Sequence, residues 1–325
     1  VAPEDRWNIL LLGGDAAPGR YGTRTDAMAL ISIDQNDGDV LMVSIPRNIE
    51  RMKFGDSELA NRFPEGFSDM ANAIFQYAMR NPEVNPFLDN DIDRGGWGIS
   101  TAVADFTGLH VDDWVYVDMA AFIDVVDAVG DLEIFVPKRI PAPGNPPGAK
   151  HPVPAYFEEG WSVFDGTLAL AYARSRKADS DYVRIERQRC VLAALGAELK
   201  KPSAVSSLLG VLDALQGTVR TSISQSEIGD LVEALELISQ DGVRTLSLAP
   251  PLVKPSNPNI EEVNDLVAAA IAGPQQNVVS TVPSSEPVIS APPTSTVPST
   301  PATLSSVPIS SPDLSAEVLE ACQFR

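Results

Sequence analysis

NILLLGG, residues 8–14, is dominated by apolar residues and ends in two glycines, which is typical of a buried strand followed by a turn. Two further apolar runs follow, AMALISI at 27–33 and VLMVSIP at 40–46, separated by the turn-forming residues DQNDGD at 34–39. This spacing predicts a β-hairpin early in the fold. Helix and strand patterns then alternate as far as residue 272, which indicates one α/β domain built around a layered sheet.

Two later segments complete the predicted framework. Pro, Asn, Asp and Gly are frequent from Glu83 to Gly98, so a loop is expected there, followed by a helix over 99–107. The segment Tyr182 to Lys200 has the pattern of a long amphipathic helix.

Polar residues stand at the ends of the predicted strands. Asp15 follows the first strand, Asp26 precedes the second, and Arg47 follows the third after Pro46. Open α/β sheets commonly place ligands at strand ends. Paired carboxylates beside phosphate are how proteins usually hold Mg²⁺, so Asp15 and Asp26 are candidate metal ligands, with turn or cap residues as the alternative. Arg24 is expected to support Asp26 or to contact a phosphate.

A second group of candidates lies in YARSRKADSDYVRIERQRCVL, residues 172–192. This stretch holds six of the 24 Lys and Arg residues, although the chain has a formal net charge of −20. A strongly anionic ligand explains that concentration best, and planar guanidinium groups suit phosphate oxygens. Arg184 and Gln188 share a helix face at i, i+4 spacing, and a loop brings Arg174 and Arg176 towards that face.

The other two arginines of the predicted helix are not expected to contribute. Arg187 and Arg189 lie on other helix faces, so they are expected to be solvated or paired with Glu186 or Glu198. The alternative interpretation of the whole stretch is a solvated basic helix face.

Composition and motifs argue against several other classes of function. The net charge of −20 argues against nucleic acid as a partner, because duplex binding depends on a basic surface. The two histidines, His110 and His151, do not form a zinc pattern with the two cysteines. The sequence contains no G-x-S-x-G, G-x-G-x-x-G or P-loop motif. No apolar run reaches the roughly 18 to 20 residues that span a bilayer.

The composition changes after residue 273. In 274–312, 24 of 39 residues are Pro, Ser or Thr, and Glu286 is the only charged residue. Such a segment buries too little apolar surface to offset chain entropy, so a disordered linker is expected. The predicted organisation is therefore a catalytic domain over 1–273, this linker, and a short helical tail over 313–325.

The two cysteines, Cys190 and Cys322, allow one disulfide bond. Such a bond would tether the tail to the arginine-rich helix and would suit an oxidising compartment. The alternative is that Cys190 is a small core residue and Cys322 is free.

Four blocks of the sequence resemble the LytR–CpsA–Psr family of cell-wall polymer transferases. They are NILLLGGD (8–15), RTDAMALISID (24–34), VSIPRN (43–48) and DGTLALAYARSRKADSDYVRIERQ (165–188). The resemblance extends over about residues 6 to 253 and implies a three-layer α/β/α sandwich with a mixed central sheet. It also implies a location on the extracytoplasmic face of the bacterial cell membrane, anchored by an N-terminal segment absent from this chain.

Family members are thought to move a glycopolymer from a polyprenyl-pyrophosphate carrier to the 6-hydroxyl of N-acetylmuramic acid in peptidoglycan. The resemblance therefore implies an Mg²⁺-dependent phosphotransferase, with Mn²⁺ as an alternative ion and pyrophosphatase activity as a second expectation. The transferred polymer is expected to be arabinogalactan, teichoic acid or capsule. The prenyl chain is expected to lie in an apolar groove between sheet and helices.

The resemblance also assigns roles to individual residues. Asp15 and Asp26 are expected to hold the metal ion. The pyrophosphate is expected to be bound by Arg24, Arg47, Arg174, Arg176, Arg184 and Gln188. The residues expected to act in catalysis are Asp26, Arg47, Arg174 and Arg184.

One residue departs from the family pattern. Family members usually have Asp where this chain has Asn48 after Pro46 and Arg47. Asn keeps a carbonyl acceptor but loses the charge, so another group is expected to act as base. Asp179 and Asp181 are the candidates, with turn chemistry as the alternative for both. Asn48 also leaves open a different function, a non-catalytic lipid-pyrophosphate-binding regulator of cell-wall assembly.

Overall fold

The three apolar runs near the start of the chain form adjacent strands of one sheet. The computed structural model describes residues 5–16, 23–176, 181–199, 201, 219–237 and 243–273. The three strands are β1 (Arg6–Gly14), β2 (Thr25–Asp34) and β3 (Val40–Ser44). Strand β2 is antiparallel to both neighbours, so the predicted hairpin of β2 and β3 is confirmed.

Shorter strands and eight helices make up the rest of the described fold. The strands are β4 (Asp113–Val117), β5 (Leu132–Val136), β6 (Ile140–Pro141), β7 (Tyr156–Phe157), β8 (Gly160–Phe164), β9 (Val219–Thr221) and β10 (Arg244–Ser247). The helices of the described residues are α1 (Glu58–Arg62), α2 (Ile74–Arg80), α3 (Asp91–Thr107), α4 (Met119–Val129), α5 (Gly166–Arg174), α6 (Asp181–Leu199), α7 (Ile228–Leu237) and α8 (Ile260–Ala272).

The central sheet is mixed. Its six strands lie in the order β10-β3-β2-β1-β4-β9. The β1–β4 and β3–β10 pairs are parallel, and the other three pairs are antiparallel. Two small antiparallel ladders, β5–β8 and β6–β7, lie apart from this sheet.

Alternate side chains of the central strands face two different cores. Leu10 and Leu30 are fully buried among side chains of α2, α3 and α8. Trp7 and Ile33 face the opposite side, where Ala234 of α7 packs against them. Because successive strand residues point to opposite faces, both faces need a covering layer. The expected three-layer α/β/α architecture with a mixed central sheet is confirmed.

The arginine-rich helix belongs to a separate cluster. Helices α4, α5 and α6 pack with the β5–β8 ladder around Val126, Ile134, Phe164, Tyr172 and Val191, all of which are buried. Helix α6 therefore has neighbours on more than one side. This packing decides which of its arginines are reached by solvent.

The loop predicted from Glu83 to Gly98 is wrong in its second half, because α3 begins at Asp91. The Asn90 side chain accepts a hydrogen bond from the Ile92 N–H, which caps the helix. A Cβ at Gly96 would lie 2.1 Å from the Trp114 ring. Glycine is thus required for close packing of α3 on the sheet, although it lowers helix propensity by about 1 kcal/mol.

The predicted linker and helical tail, 274–325, lie outside the described residues, and the domain boundaries stay predictions. In the part of the chain that is described, every helix is too short or too polar to cross a bilayer.

Candidate functional site

Asp26 lies within β2 and not before it, so the expected start of this strand is wrong. A β-bulge sets Asp26 apart from the other residues of β2. Gly13 pairs with Ala27, but Gly14 pairs with Thr25, so Asp26 is the extra residue between them. Bulges bend a strand and re-aim a side chain, and they are frequent beside active sites. The irregularity therefore presents a carboxylate at the end of the central sheet.

Asp26 is held by two polar side chains from outside its own strand. Arg47 Nη1 lies 3.0 Å from both Asp26 carboxylate oxygens. The Asn72 side-chain amide donates to Asp26 Oδ1 at 2.8 Å. The Asn72 backbone N–H also donates to the Arg47 carbonyl at 3.1 Å. Asn72 thus fixes both members of the ion pair.

The surroundings of Asp26 keep it ionised. Burial raises the pKa of this carboxyl, but the hydrogen bonds from Asn72 and Arg47 and the charges of Arg47 and Arg184 together lower the pKa below its usual value. Asp26 is therefore a carboxylate at neutral pH. The influence of Arg184 also indicates that α6 brings a cation near this end of the sheet.

Asp15 lies at the end of β1 and pairs with the chain that leads into β2. Its N–H donates to the Arg24 carbonyl at 3.0 Å, and the Arg24 N–H donates to Asp15 Oδ1 at 2.8 Å. These bonds fix the carboxylate through the backbone. The Arg24 side chain is exposed.

The donor set at this end of the sheet fits Mg²⁺. This ion takes oxygen ligands and is usually held by one or two carboxylates together with substrate phosphates and water. Asp26 accepts three hydrogen bonds, whereas a carboxylate offers about four lone-pair positions. Among the described residues there is no group of three or more His, Cys, Asp or Glu side chains that could hold a metal. The expected roles of Asp15 and Asp26 as ligands of the ion stay predictions.

The predicted pyrophosphate ligands on the helices occupy different environments. Arg184 is only 2% exposed, and Gln188 one turn later is half-buried. Arg174 is the last residue of α5 and is half-buried, whereas Arg176 is exposed. Arg47 and Asp26 are in direct side-chain contact. The individual ligand roles stay predictions.

Of the two alternatives for Arg187 and Arg189, solvation is wrong for both residues, whereas pairing with a glutamate is confirmed for Arg189. They are 6% and 2% exposed, because α5 and β5 pack against α6. Arg189 pairs with Glu186, which was one of the predicted alternatives. Arg187 Nη1 instead donates to the backbone carbonyl of Ser175 at 2.7 Å. Helical spacing separates faces, but it does not reveal which faces other elements cover.

A groove opens between the end of the sheet and helices α2 and α3. One cavity of about 160 Å³ is lined by Ala16, Thr23, Phe75, Met79, Ile92, Tyr116, Asp118 and Arg220. A second cavity of about 210 Å³ shares Thr23 and Met79 with the first. The expected position of a prenyl chain, in an apolar groove between sheet and helices, stays a prediction.

Tyr116 closes the sheet side of this groove. Its ring stacks on Phe75, with 5.0 Å between the ring centroids. Burial, and to a smaller extent the charge of Asp118, raise the pKa of the Tyr116 hydroxyl. A Cβ at Gly14 would lie 1.9 Å from that hydroxyl, so the backbone just before Asp15 needs glycine.

Asn72 is the site residue that the sequence did not reveal. It lies in a 3₁₀ turn, Ala71–Ala73, and is 1% exposed. A single amide carries no periodic or compositional signal. Only the contact with Asp26, 46 residues away in sequence, identifies it.

The structure describes Asn48, which stands where the family usually has Asp, but only one of the two candidate bases. The Oδ1 atom of Asn48 is buried and accepts no hydrogen bond within the described part of the chain. Asp181 begins α6, and Asp179 lies outside the described residues. Cys190 is 4% exposed and is disulfide-bonded, so the alternative of a free core cysteine is wrong. Cys322, the other cysteine of the sequence, lies outside the described residues.

The sequence matches one protein family and individual proteins of known function. The profile of the LytR_cpsA_psr family matches residues 2–269. The polyisoprenyl-teichoic acid–peptidoglycan teichoic acid transferase TagU of Bacillus anthracis is 28% identical over 237 residues, 71% of this chain and 65% of that protein. TagU of Halalkalibacterium halodurans is 24% identical over 234 residues, 71% of this chain and 66% of the relative. The chain thus spans slightly less than two thirds of the length of these relatives.

Two solved structures share the fold. The crystal structure of B. subtilis TagV has a TM-score of 0.59 at 23% identity, covering 81% of this chain and 96% of that one. The structure of TagT bound to LIIa-WTA has a TM-score of 0.57 at 23% identity, covering 82% of this chain and 91% of that one. At this identity the likeness establishes the fold alone.

Proposed function

Because the chain belongs to the LytR_cpsA_psr family, we propose that it transfers a glycopolymer from a polyprenyl-pyrophosphate carrier to peptidoglycan. The names of the related TagU proteins, which describe teichoic acid transfer to peptidoglycan, support this class of reaction. The polymer proposed here is an arabinogalactan, teichoic acid or capsular chain. The proposed place of action is the extracytoplasmic face of the cell membrane, with an N-terminal anchor preceding the present sequence.

The observation that carries the proposal is the polar cluster at the end of the sheet. Asp26 is an ionised carboxylate held by Arg47 and Asn72, and the charge of Arg184 reaches it from α6. A pyrophosphate bound between Arg47 and Arg184 would meet guanidinium groups from two directions. Preorganised cations of this kind stabilise the charge that develops during phosphoryl transfer.

The proposed reaction exchanges one phosphorus–oxygen bond for another. The acceptor hydroxyl oxygen attacks the phosphorus that carries the glycan, while the bond from that phosphorus to the bridging oxygen breaks. Polyprenyl phosphate leaves with the bonding electron pair, and the hydroxyl proton passes to a base. If water replaces the acceptor hydroxyl, the same bond breaks and the result is pyrophosphatase activity.

The chain's own residues would divide the work. Arg47, Arg174 and Arg184 would bind the phosphates and offset the charge on the leaving group, while Asp26 would fix Arg47. Mg²⁺ or Mn²⁺, when held by Asp15 and Asp26, would supply further charge neutralisation at the phosphate oxygens. The groove lined by Phe75 and Tyr116 would exclude water from the prenyl chain.

Asn48 favours one alternative function, a non-catalytic regulator that binds lipid pyrophosphate. Its buried Oδ1 lacks a hydrogen-bond donor among the described residues, and the residue replaces a family carboxylate. This alternative predicts tight binding of prenyl pyrophosphate without turnover. It also predicts that Asn48→Asp gains activity.

The test combines binding and turnover. We expect the purified chain to bind a synthetic prenyl pyrophosphate and to release phosphate or prenyl phosphate with Mg²⁺, but not with EDTA. Arg184→Ala should weaken binding on the order of tenfold or more, since one charge-assisted contact is lost. Binding without release, followed by release from Asn48→Asp, would favour the regulator. Absence of both binding and release would contradict both functions.

A further inference from the structure

The buried Arg187 contacts the backbone between Arg174, the last residue of α5, and Arg176. Arg187 Nη1 donates a hydrogen bond to the Ser175 carbonyl at 2.7 Å, and the residue is 6% exposed. Ser175 stands between Arg174 and Arg176 in the sequence. The contact therefore ties the backbone between two candidate pyrophosphate ligands to α6.

Ser175 itself is fixed at three points. It is 1% exposed, its Oγ donates to the Pro141 carbonyl at 2.7 Å, and its N–H donates to the Tyr172 carbonyl at 3.1 Å. Its carbonyl is the group that accepts from Arg187. The chain at this position has little freedom to move, and one of its restraints comes from a charged side chain.

Burying a guanidinium group is costly, so its position calls for an explanation. Desolvation of an ion costs several kcal/mol unless charges or hydrogen bonds compensate. The Tyr172 ring, whose centroid is 6.0 Å from the Arg187 guanidinium carbon, supplies part of that compensation. The hydrogen bond to the Ser175 carbonyl supplies another part, which points to a positional role for the donor.

The helix places Arg187 next to the site. Arg184 and Arg187 are three residues apart on α6, so they are neighbours on its surface, and the expectation that Arg187 lies on a different face is wrong. Arg184 acts on Asp26 at the end of the sheet, and Arg187 contacts the residue after α5. One helix thus sets the distance between the sheet end and the Arg174–Arg176 pair.

We propose that Arg187 is a positioning residue: it holds Ser175 so that Arg174 and Arg176 meet the pyrophosphate together with Arg184. This inference rests on the proposed pyrophosphate site and extends it to a residue outside the ligand shell. Holding the ligand arginines in place before binding lowers the entropy cost of binding. Loss of Arg187 should therefore weaken donor binding without removing any ligand.

Arg189 is a matched control for this proposal. It lies on the same helix, is buried to the same degree, and pairs with Glu186 instead of a backbone carbonyl near the site. Replacing either arginine by Met removes a buried charge and keeps a similar side-chain length. Both variants should lower the melting temperature, but only Arg187→Met should change ligand affinity.

The experiment compares Arg187→Met, Arg187→Lys, Arg187→Gln and Arg189→Met in the full chain. The dissociation constant of a short prenyl pyrophosphate, kcat, KM and the melting temperature are measured for each. Arg187→Met should raise the dissociation constant and KM on the order of tenfold, the effect of losing one hydrogen bond from a charged group. Arg187→Lys and Arg187→Gln keep a donor and should recover part of the affinity. Arg189→Met should stay within about twofold of wild type, since it leaves Ser175 untouched.

Equal losses of affinity in Arg187→Met and Arg189→Met would overturn the proposal, because both would then reflect general destabilisation. Unchanged affinity in Arg187→Met, with wild-type binding intact, would overturn it as well. If Arg187→Met does not fold, the dissociation constants of Arg187→Lys and Arg187→Gln are compared with that of Arg189→Met, and the same outcomes apply. Absence of binding by the wild-type chain would remove the proposed function itself, which is a distinguishable result.

Discussion

At the end of the sheet and around helices α5 and α6 the protein positions charged side chains in two different ways. The sheet half of the site consists of Asp15, Asp26, Arg47 and Asn72, and its side chains are fixed by hydrogen bonds to one another and to the backbone. The helix half consists of Arg174, Arg176, Arg184 and Arg187, and two of its arginines are nearly fully buried. In the helix half, the positions of the arginine side chains depend on how α5 and α6 pack against the neighbouring elements.

Because of this difference, we expect the two halves to contribute differently to turnover and to ligand affinity. A carboxylate held by two partners in the sheet half controls charge at the reacting centre. Guanidinium groups on a packed helix provide a rigid surface for an anion, whose affinity depends on their relative placement. Substitutions in the sheet half should therefore change turnover, and those in the helix half should change affinity.

The largest effect is expected for Asp26→Asn. The substitution keeps the shape but removes the charge that fixes Arg47, so transfer should fall on the order of 10²- to 10³-fold. Donor affinity should change by no more than a few fold, since Arg174, Arg176 and Arg184 remain. Turnover is followed by prenyl phosphate release and affinity by calorimetry. A loss confined to affinity would reverse the division between the two halves.

A second prediction compares a glycine next to the sheet half, Gly14, with a glycine on α6, Gly196. Gly14→Ala would place a Cβ 1.9 Å from the Tyr116 hydroxyl, so the free energy of unfolding should fall by about 3 kcal/mol. Gly196→Ala on α6 is the control, because no described atom lies within 4 Å of its Cβ position. Alanine is the better helix former, so Gly196→Ala should add about 1 kcal/mol. Urea unfolding measures both, and destabilisation of equal size would contradict the packing of the sheet half.

A third prediction concerns Asn72→Ala and its dependence on pH. The hydrogen bond from Asn72 helps to lower the pKa of Asp26, so its stabilisation is present above the unfolded-state pKa and is lost as pH falls through the folded-state pKa. The variant should lose about 1 kcal/mol of unfolding free energy at pH 7, a small value because Asp26 is partly exposed. The loss should shrink in acid.

Asn264→Ala provides the comparison for that experiment. The Asn264 amide donates to the Phe106 carbonyl at 2.9 Å and not to a carboxylate. Its destabilisation should therefore be the same at neutral and acid pH. Urea midpoints in metal-free buffer at several pH values test both variants. A flat pH dependence for Asn72→Ala would show that the contact with Asp26 does not stabilise the fold.

The smallest effect is expected for an arginine outside both halves. Arg139 stacks on Tyr156 with 3.7 Å between guanidinium carbon and ring centroid, and it pairs with Glu158. Both contacts are solvent-exposed, so Arg139→Ala should cost at most about 1 kcal/mol of unfolding free energy. Donor affinity should equal that of the wild type. A change in affinity would place the β6–β7 region in the ligand site.

The two halves also differ in how far the sequence predicts them. Strand ends mark Asp26 and Arg47, because apolar runs and turn residues locate the ends of β2 and β3 to within a few residues. Nothing marks Asn72, since its role depends on a contact between distant segments. Arg187 is misjudged because burial of a charged residue is set by the packing of α5 and β5, which charge patterns do not encode. The start of helix α3 is also misjudged. In the sequence its glycines indicate a loop, but they allow the helix to pack closely on the sheet.

The most direct test of the account is the stoichiometry of transfer. The purified chain is mixed with Mg²⁺, a synthetic prenyl-pyrophosphate-linked glycan and peptidoglycan strands, and the products are identified by mass spectrometry. We expect one phosphodiester bond to a muramic acid hydroxyl for each prenyl phosphate released, with both products abolished in Asp26→Asn. Tight donor binding with neither product formed, in the presence of Mg²⁺ and acceptor, would contradict it.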